Sequence, residues 1–273
     1  MEFKRLGNTS VKIPAVGMGT WEIGGGLTPD YSLDEEAIQA LKVGIELGMT
    51  LIDTAEMYGR GHSEELVGEA VRAFPRESIF IVTKVLPENL RYNELIEAAY
   101  RSLKRLNLDY IDLYLIHAPN PRIPIRETMD AMEKLVDEGI VKFIGVSNFG
   151  VLQMEQARAC LSKTDIVVNQ VEYSLIERRI EKDVLPYCQK NKITVMAYCP
   201  LGRGILPKNQ FLKEVGLKYG KTAAQIALNW LIQKDEVVAI PKAIKIEHLR
   251  ENAESTGWRL NKEDVELIEK YFR

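Results

Sequence analysis

The sequence contains no long apolar run, and nothing in it approaches the roughly 18 uncharged apolar residues of a membrane span. Cysteine is scarce. Of 273 residues only Cys160, Cys188 and Cys199 are cysteine, an odd number without CxxC spacing, so neither a disulfide framework nor a zinc site is expected. No sign of charge dominates: 36 Lys and Arg face 39 Asp and Glu, a net −3, which argues against a nucleic-acid-binding domain with its basic stripe. The N-terminal MEFKRLGNTS lacks the apolar core of a secretory signal, so a cytoplasmic protein away from any membrane is expected. Without such a signal, Asn8-Thr9-Ser10 reads as a polar hairpin turn rather than a glycan acceptor. Phosphate-binding glycine loops are also missing. Gly17-x-Gly19 has no third glycine at the spacing a doubly wound sheet uses, Gly24-Gly25-Gly26 reads as a mobile loop, and no GxxxxGK[ST] occurs.

What is present is a regular alternation. With 46% hydrophobic and 27% charged residues the composition is that of an ordinary globular protein. Phe3–Pro14 reads as a hairpin around Gly7-Asn8. Strand-like runs then fall at 14–20, 50–54, 78–84, 110–117, 141–147, 165–173, 193–198 and 237–240. Helical periods follow them from Ser32 (with Glu35 at capping-box spacing and Gly48 as the stop) and at 63–73, 93–106, 126–138, 151–161, 180–191, 222–233 and 247–255. An extra helix is expected near 210–219 and a final one at 262–272. Eight β-then-α units of one hand close a barrel. The fold class is therefore α/β, a (β/α)8 TIM barrel with an N-terminal β-hairpin and an extra C-terminal helix. No linker divides the chain, so residues 1–273 are read as a single domain.

In such a barrel, function sits at the C-terminal ends of the strands. Polar residues fall there on seven successive strands: Asp53 with Tyr58 just beyond, Lys84, His117, Ser147 and Asn148, Asn169 and Gln170, Tyr198, and Lys242. The first four make chemical sense together. A tyrosine has a reference pKa near 10 and is a poor proton donor unless its phenolate is stabilised. An ammonium does that, and a carboxylate keeps the ammonium charged and in place. Asp53, Lys84 and Tyr58 supply this trio, and His117 is placed to orient a carbonyl oxygen. The set protonates an oxygen while something else attacks carbon. It has neither a Ser or Cys nucleophile with its base nor the spacing of a metal cage.

These residues resemble the aldo-keto reductase family. The segments that carry the resemblance run in order from Val16 to Asn252: Gly17-Met-Gly-Thr-Trp21, Ile52-Asp-Thr-Ala-Glu-Met-Tyr-Gly59, Val82-Thr-Lys84, Leu113-Tyr-Leu-Ile-His117, Gly145-Val-Ser-Asn-Phe149, Val168-Asn-Gln-Val-Glu-Tyr173, Ala197-Tyr-Cys-Pro-Leu-Gly202 and Ile240-Pro-Lys242. The resemblance implies reduction of aldehydes and ketones to alcohols by hydride from the nicotinamide C4 of NADPH. Its catalytic tetrad falls on Asp53, Tyr58, Lys84 and His117, with Tyr58 as proton donor. By the same resemblance Ser147, Asn148 and Gln170 meet the carboxamide, with Asp53 beside them, and Tyr198 stacks on the nicotinamide. Thr20 and Trp21 fit the inner pocket, Leu201 and Gly202 the pyrophosphate, Lys242 and His248 the 2′-phosphate, and Glu251 and Asn252 the adenine end. Trp21, Tyr58 and His117 would meet a small carbonyl substrate. A monomer is the family's common state.

Several positions depart from the family pattern. Ala243 stands where Ser or Thr is common and His248 where arginine is common, and a histidine is the weaker phosphate partner. NADPH is thus expected to be preferred, with NADH a weaker alternative. Cys199 replaces a usual serine, and a small buried residue is expected there rather than a redox switch. Ala118 stands where many members carry tryptophan, and the sequence ends at Arg273 directly after the last helix, so an open pocket of broad carbonyl specificity is expected. Two other readings use the same residues: a barrel aldolase with a Schiff base on Lys84, and a cofactor-binding regulatory protein like the potassium-channel β-subunits.

Overall fold

A computed structural model describes residues 1–273. Strands β1 (Phe3–Arg5) and β2 (Lys12–Pro14) form an antiparallel hairpin with Phe3 opposite Pro14. Then come β3 (Met18–Gly19), α1 (Asp34–Glu46), β4 (Leu51–Asp53), α2 (His62–Val71), β5 (Phe80–Val85), α3 (Tyr92–Leu106), β6 (Ile111–Ile116) and α4 (Ile125–Asp137). The second half continues with β7 (Val141–Ser147), α5 (Val151–Arg158), β8 (Ile166–Glu172), α6 (Val184–Asn191), β9 (Thr194–Tyr198), α7 (Gln210–Tyr219), α8 (Ala223–Ile232), β10 (Val237–Ala239), α9 (Ile246–Ala253) and α10 (Lys262–Tyr271). Strands β3 to β10 pair in sequence order, all parallel. The sheet closes on itself where Val16 bridges Ala239, with Gly17 N–H donating to Ala239 O at 2.8 Å and Ala239 N–H to Ala15 O at 2.9 Å. The expected barrel, hairpin and last helix are all present. No helix is long and apolar enough to cross a membrane.

Alternation along the strands decides what faces the barrel axis. Leu51, Phe80, Val82, Leu113, Leu115, Val168, Met196, Val238 and Ile240 form one interior cluster, and Leu6 and Ile13 of the hairpin pack into the same cluster. The hairpin thus plugs the N-terminal end, where Gly7 N–H donates to Thr194 Oγ1 at 2.8 Å. Continuing each inward row by two residues reaches Asp53, Lys84, His117, Gln170 and Tyr198. The opposite faces of the strands meet the helices in a separate core cluster of 58 residues.

Three local expectations differ from what is seen. The Ser32–Glu35 capping box does not form: α1 is preceded by Leu33 without a side-chain cap, and Ser32 N–H donates to Asp30 Oδ1 at 2.9 Å instead. The helix expected over 180–191 is split into a 3-10 turn (Arg179–Lys182) and α6. Asp183 (φ −146°) leaves the helical path there, and its side chain accepts from Val184 N. The Gly24–Gly26 loop is anchored, since Gly59 N–H donates to Gly26 O at 2.7 Å.

Candidate active site

Lys84 is the centre of the polar cluster. It is wholly buried, and its ammonium spends its three N–H bonds on Asp53 Oδ2 (2.9 Å), Thr54 O (2.8 Å) and Tyr58 Oη (3.1 Å). The second oxygen of Asp53 accepts from Gln170 Nε2 at 2.7 Å. Gln170 reaches it because it faces inward from β8. Its neighbour Asn169 faces the helices and donates to Phe149 O, so only one of these two strand-end amides belongs to the site. Tyr58 hangs over the pair from a tight turn in which Gly59 and Arg60 both have left-handed backbones (φ 55° and 54°). A Cβ on Gly59 would lie 2.1 Å from Gly24 O, so glycine is required where these two loops cross. Trp21 and His117 flank the Tyr58 ring edge-on, at centroid distances of 5.0 and 5.8 Å.

The charges are set by burial against pairing. Burial alone would lower the Lys84 pKa, but Asp53 and Tyr58 overcome it and hold the ammonium above its ordinary value. Burial also pushes Asp53 up, with Lys84 and Gln170 acting against it. At Tyr58 burial wins over the lysine and raises the phenol pKa. Against the expectation that the ammonium lowers it, desolvation outweighs the lysine. Tyr58 is therefore held as the neutral phenol, a form able to donate a proton. Lys84 Nζ stands within hydrogen-bond distance of Oη, a position from which it could stabilise negative charge on that oxygen. Burial, helped by the Lys84 charge, lowers the His117 pKa to about 3, and its Nδ1 is buried without a partner. His117 is neutral above that value and Tyr58 stays protonated through neutrality, so kcat for a reaction using both should be flat from roughly pH 5 to 8. A pH series at saturating substrate checks this; a limb near the imidazole reference value would contradict it.

A cleft of about 950 Å³ opens from this cluster along the C-terminal mouth of the barrel. Trp21, Asp53, Tyr58, His117, Ser147, Asn148, Gln170, Tyr198, Leu201, Lys242, His248, Glu251 and Asn252 all line it. Asn148, with a left-handed backbone (φ 62°), donates to His117 O and Ser147 Oγ and accepts from the Tyr198 hydroxyl at 3.0 Å. Besides Asn169, three of the singled-out residues do not line the cleft. Lys84 lies beneath Tyr58. Thr20 is fully buried behind Asp53, its hydroxyl donating to Asp53 O and accepting from Ser63 Oγ. Gly202 turns away at φ 57°, and a Cβ there would meet the Ile176 side chain. The sequence reading missed Glu22, Met57, Arg203 and Lys208, which also line it. Glu22 and Arg203 directly follow named motifs, and that adjacency was the available signal. Cys199 forms part of the wall, half-buried as a free thiol.

A closed parallel barrel with a buried Asp53–Lys84–Tyr58 cluster at its C-terminal mouth, opening on a cleft also lined by Lys242 and Arg203, has the layout of an α/β-barrel enzyme. The profile of the aldo/keto reductase family matches residues 15–272, and the chain belongs to that family. The methylglyoxal reductase YeaE of Escherichia coli (strain K12) is 41% identical over 267 residues, covering 96% of this chain and 92% of that protein. The crystal structure of a thermostable aldo-keto reductase, Tm1743, in complex with the inhibitor epalrestat superposes with a TM-score of 0.95 at 49% identity, covering 99% of both chains. An aldo/keto reductase from Klebsiella pneumoniae in complex with NADP and acetate gives a TM-score of 0.88 at 38% identity over 96% of this chain and 92% of that one.

Proposed function

We propose that this protein is an NADPH-dependent reductase that converts aldehydes and ketones, small 2-oxoaldehydes among them, to alcohols. The observation that carries the reading is the chain of contacts from Gln170 through Asp53 and Lys84 to the Tyr58 hydroxyl, at 2.7, 2.9 and 3.1 Å. It supports the reading because the Tyr58 hydroxyl lies at the cleft wall with a buried cation behind it. The similarity to a methylglyoxal reductase supports including small 2-oxoaldehydes among the carbonyls accepted.

The cleft fits a dinucleotide. Its volume is about 950 Å³, and its lining includes Lys242 and His248, residue types suited to phosphate. Ser147, Asn148 and Gln170 would hold a carboxamide, Tyr198 would present a ring face to nicotinamide, Leu201 would border the pyrophosphate, and Glu251 and Asn252 the adenosine. The reduced nicotinamide, when bound, supplies the hydride to the carbonyl carbon. This chain's residues do the rest. His117 orients the carbonyl oxygen between itself and Tyr58. Tyr58 gives up its proton from Oη, Lys84 holds the phenolate so formed, and Asp53 with Gln170 keeps Lys84 in place. Trp21 and Met57 wall the substrate end. The Schiff-base reading asks Lys84 to reach a substrate, but its nitrogen is buried with every N–H engaged.

Two assays test this reading. NADPH oxidation, followed by the nicotinamide absorbance over an aldehyde and ketone panel, should proceed with small and bulky substrates alike and with modest affinity; sharp selectivity for one carbonyl at micromolar KM would refute the breadth. Comparing cofactors, kcat/KM should favour NADPH over NADH by roughly ten- to a hundredfold, about what one charge-assisted phosphate contact provides. Equal values would remove Lys242 from the phosphate role.

A further inference from the structure

Glu22 had no place in the reading of the sequence, yet it stands at a commanding point of the cleft. It follows Trp21 directly, and its backbone is in the left-handed region (φ 66°), an uncommon state for a residue with a side chain. The surrounding loop holds it there. Glu22 bridges Gly25, Ile23 N–H donates to Thr20 O, Asp30 N–H to Gly24 O, and Gly59 N–H to Gly26 O. Behind the loop, His62 is bonded to both Asp34 (3.0 Å) and Glu65 (2.9 Å), and its ring meets Tyr31 at 4.3 Å. The carboxylate so placed lines the cleft and reaches 3.9 Å from Lys242 Nζ, which comes from the segment after β10. Both side chains are solvent-accessible, 63% and 39% exposed, so the pair is one that a ligand can break. Arg203, which also lines the cleft, is drawn to Glu172 at 3.7 Å. The lysine read as a phosphate partner is therefore already engaged by a carboxylate.

We propose that Glu22 is an internal anionic competitor beside Lys242, the lysine that would take a cofactor phosphate. It holds Lys242 when no dinucleotide is bound and must release it when the cofactor phosphates enter, so that it sets cofactor affinity and eases cofactor exchange. The proposal rests on the reading of the cleft as a dinucleotide site. Its physical content is an exchange of one lysine partner for another. A carboxylate and a phosphate oxygen cannot both take the same ammonium without facing each other, and like charges across a few ångströms oppose binding. An exposed pair such as this is worth little by itself, so the expected effect is a several-fold change in affinity rather than loss of binding.

The test is equilibrium binding of NADPH without any substrate, read by its fluorescence and by quenching of protein tryptophan, for the wild type, Glu22→Gln, Lys242→Met and the double variant. Glu22→Gln keeps the backbone requirement and removes only the charge. It should tighten Kd roughly two- to fivefold at low salt, with the gain shrinking at high salt and absent when the same change is made in Lys242→Met. A gain below twofold, a weaker Kd, or an equal gain in the Lys242→Met background would overturn the proposal. Failure of the wild type to bind NADPH at all would instead overturn the dinucleotide reading itself.

Discussion

Replacing Tyr58 by phenylalanine is expected to lower kcat for carbonyl reduction roughly 10²- to 10⁴-fold, the range for removal of a positioned general acid, with NADPH affinity changed by less than about twofold. The size of the effect follows from what surrounds the hydroxyl. His117 is neutral with its pKa lowered to about 3, and Lys84 is buried beneath Tyr58, so no other group is placed to deliver a proton. The change is otherwise mild. The phenyl ring retains its edge contacts with Trp21 and His117, and Lys84 keeps Asp53 and Thr54 O as acceptors. Folding should cost no more than about 1–2 kcal/mol, the worth of one buried hydrogen bond. Steady-state rates with a saturating aldehyde, alongside a thermal melt, separate the two effects. A variant retaining more than a tenth of wild-type kcat would remove Tyr58 from its role.

Lys84→Met should be as damaging to kcat and far more so to stability. The methionine leaves Asp53, 2% exposed, in the barrel without its cation, and breaking a buried pair on one side costs roughly 3–5 kcal/mol. The loss should depend on pH with a definite sign. Burial already raises the Asp53 pKa, and without Lys84 the folded-state value sits higher still above the unfolded one. The folded variant then binds the extra proton, so it is closest to wild-type stability in acid and falls behind as pH rises through the folded pKa. Denaturant unfolding of both proteins across roughly pH 4.5 to 8 checks this; a deficit that shrinks toward alkaline pH would contradict it. Because Lys84 acts on the chemistry through Tyr58, Tyr58→Phe with Lys84→Met should cost kcat little more than the worse single change. Multiplying losses would mean that the lysine acts by a separate route.

Much of this site is legible in the sequence because a strand has period two. Leu51 to Asp53, Val82 to Lys84, Leu115 to His117, Val168 to Gln170 and Met196 to Tyr198 are each one inward step, from a packed interior to its polar rim. The same rule separates Gln170 from Asn169, a distinction that strand-end position alone did not make. Loops have no such rule. The buried hydroxyl of Thr20 is committed to Asp53 O and Ser63, and nothing in its spacing distinguished that strut from a ligand contact. Glu22 acquires its position from a left-handed backbone and a network of loop hydrogen bonds, neither of which has a periodic signature. The failed cap at Ser32 and the break at Asp183 have a common cause. Asp and Ser side chains bond locally to nearby backbone N–H groups, and which bond wins is decided by how the chain packs. The net direction of the Tyr58 pKa was likewise out of reach, since it is set by the extent of burial.

The most direct measurement is transfer of label from NADPH dideuterated at the nicotinamide C4 to methylglyoxal or a simple aldehyde, with the product analysed by mass and proton resonance. The account predicts one deuterium per product molecule, carbon-bound at the new carbinol centre, formed in step with cofactor oxidation and slowed by two or more orders of magnitude in Tyr58→Phe. Product without deuterium on that carbon, or no product from any carbonyl while NADPH binds, would contradict it.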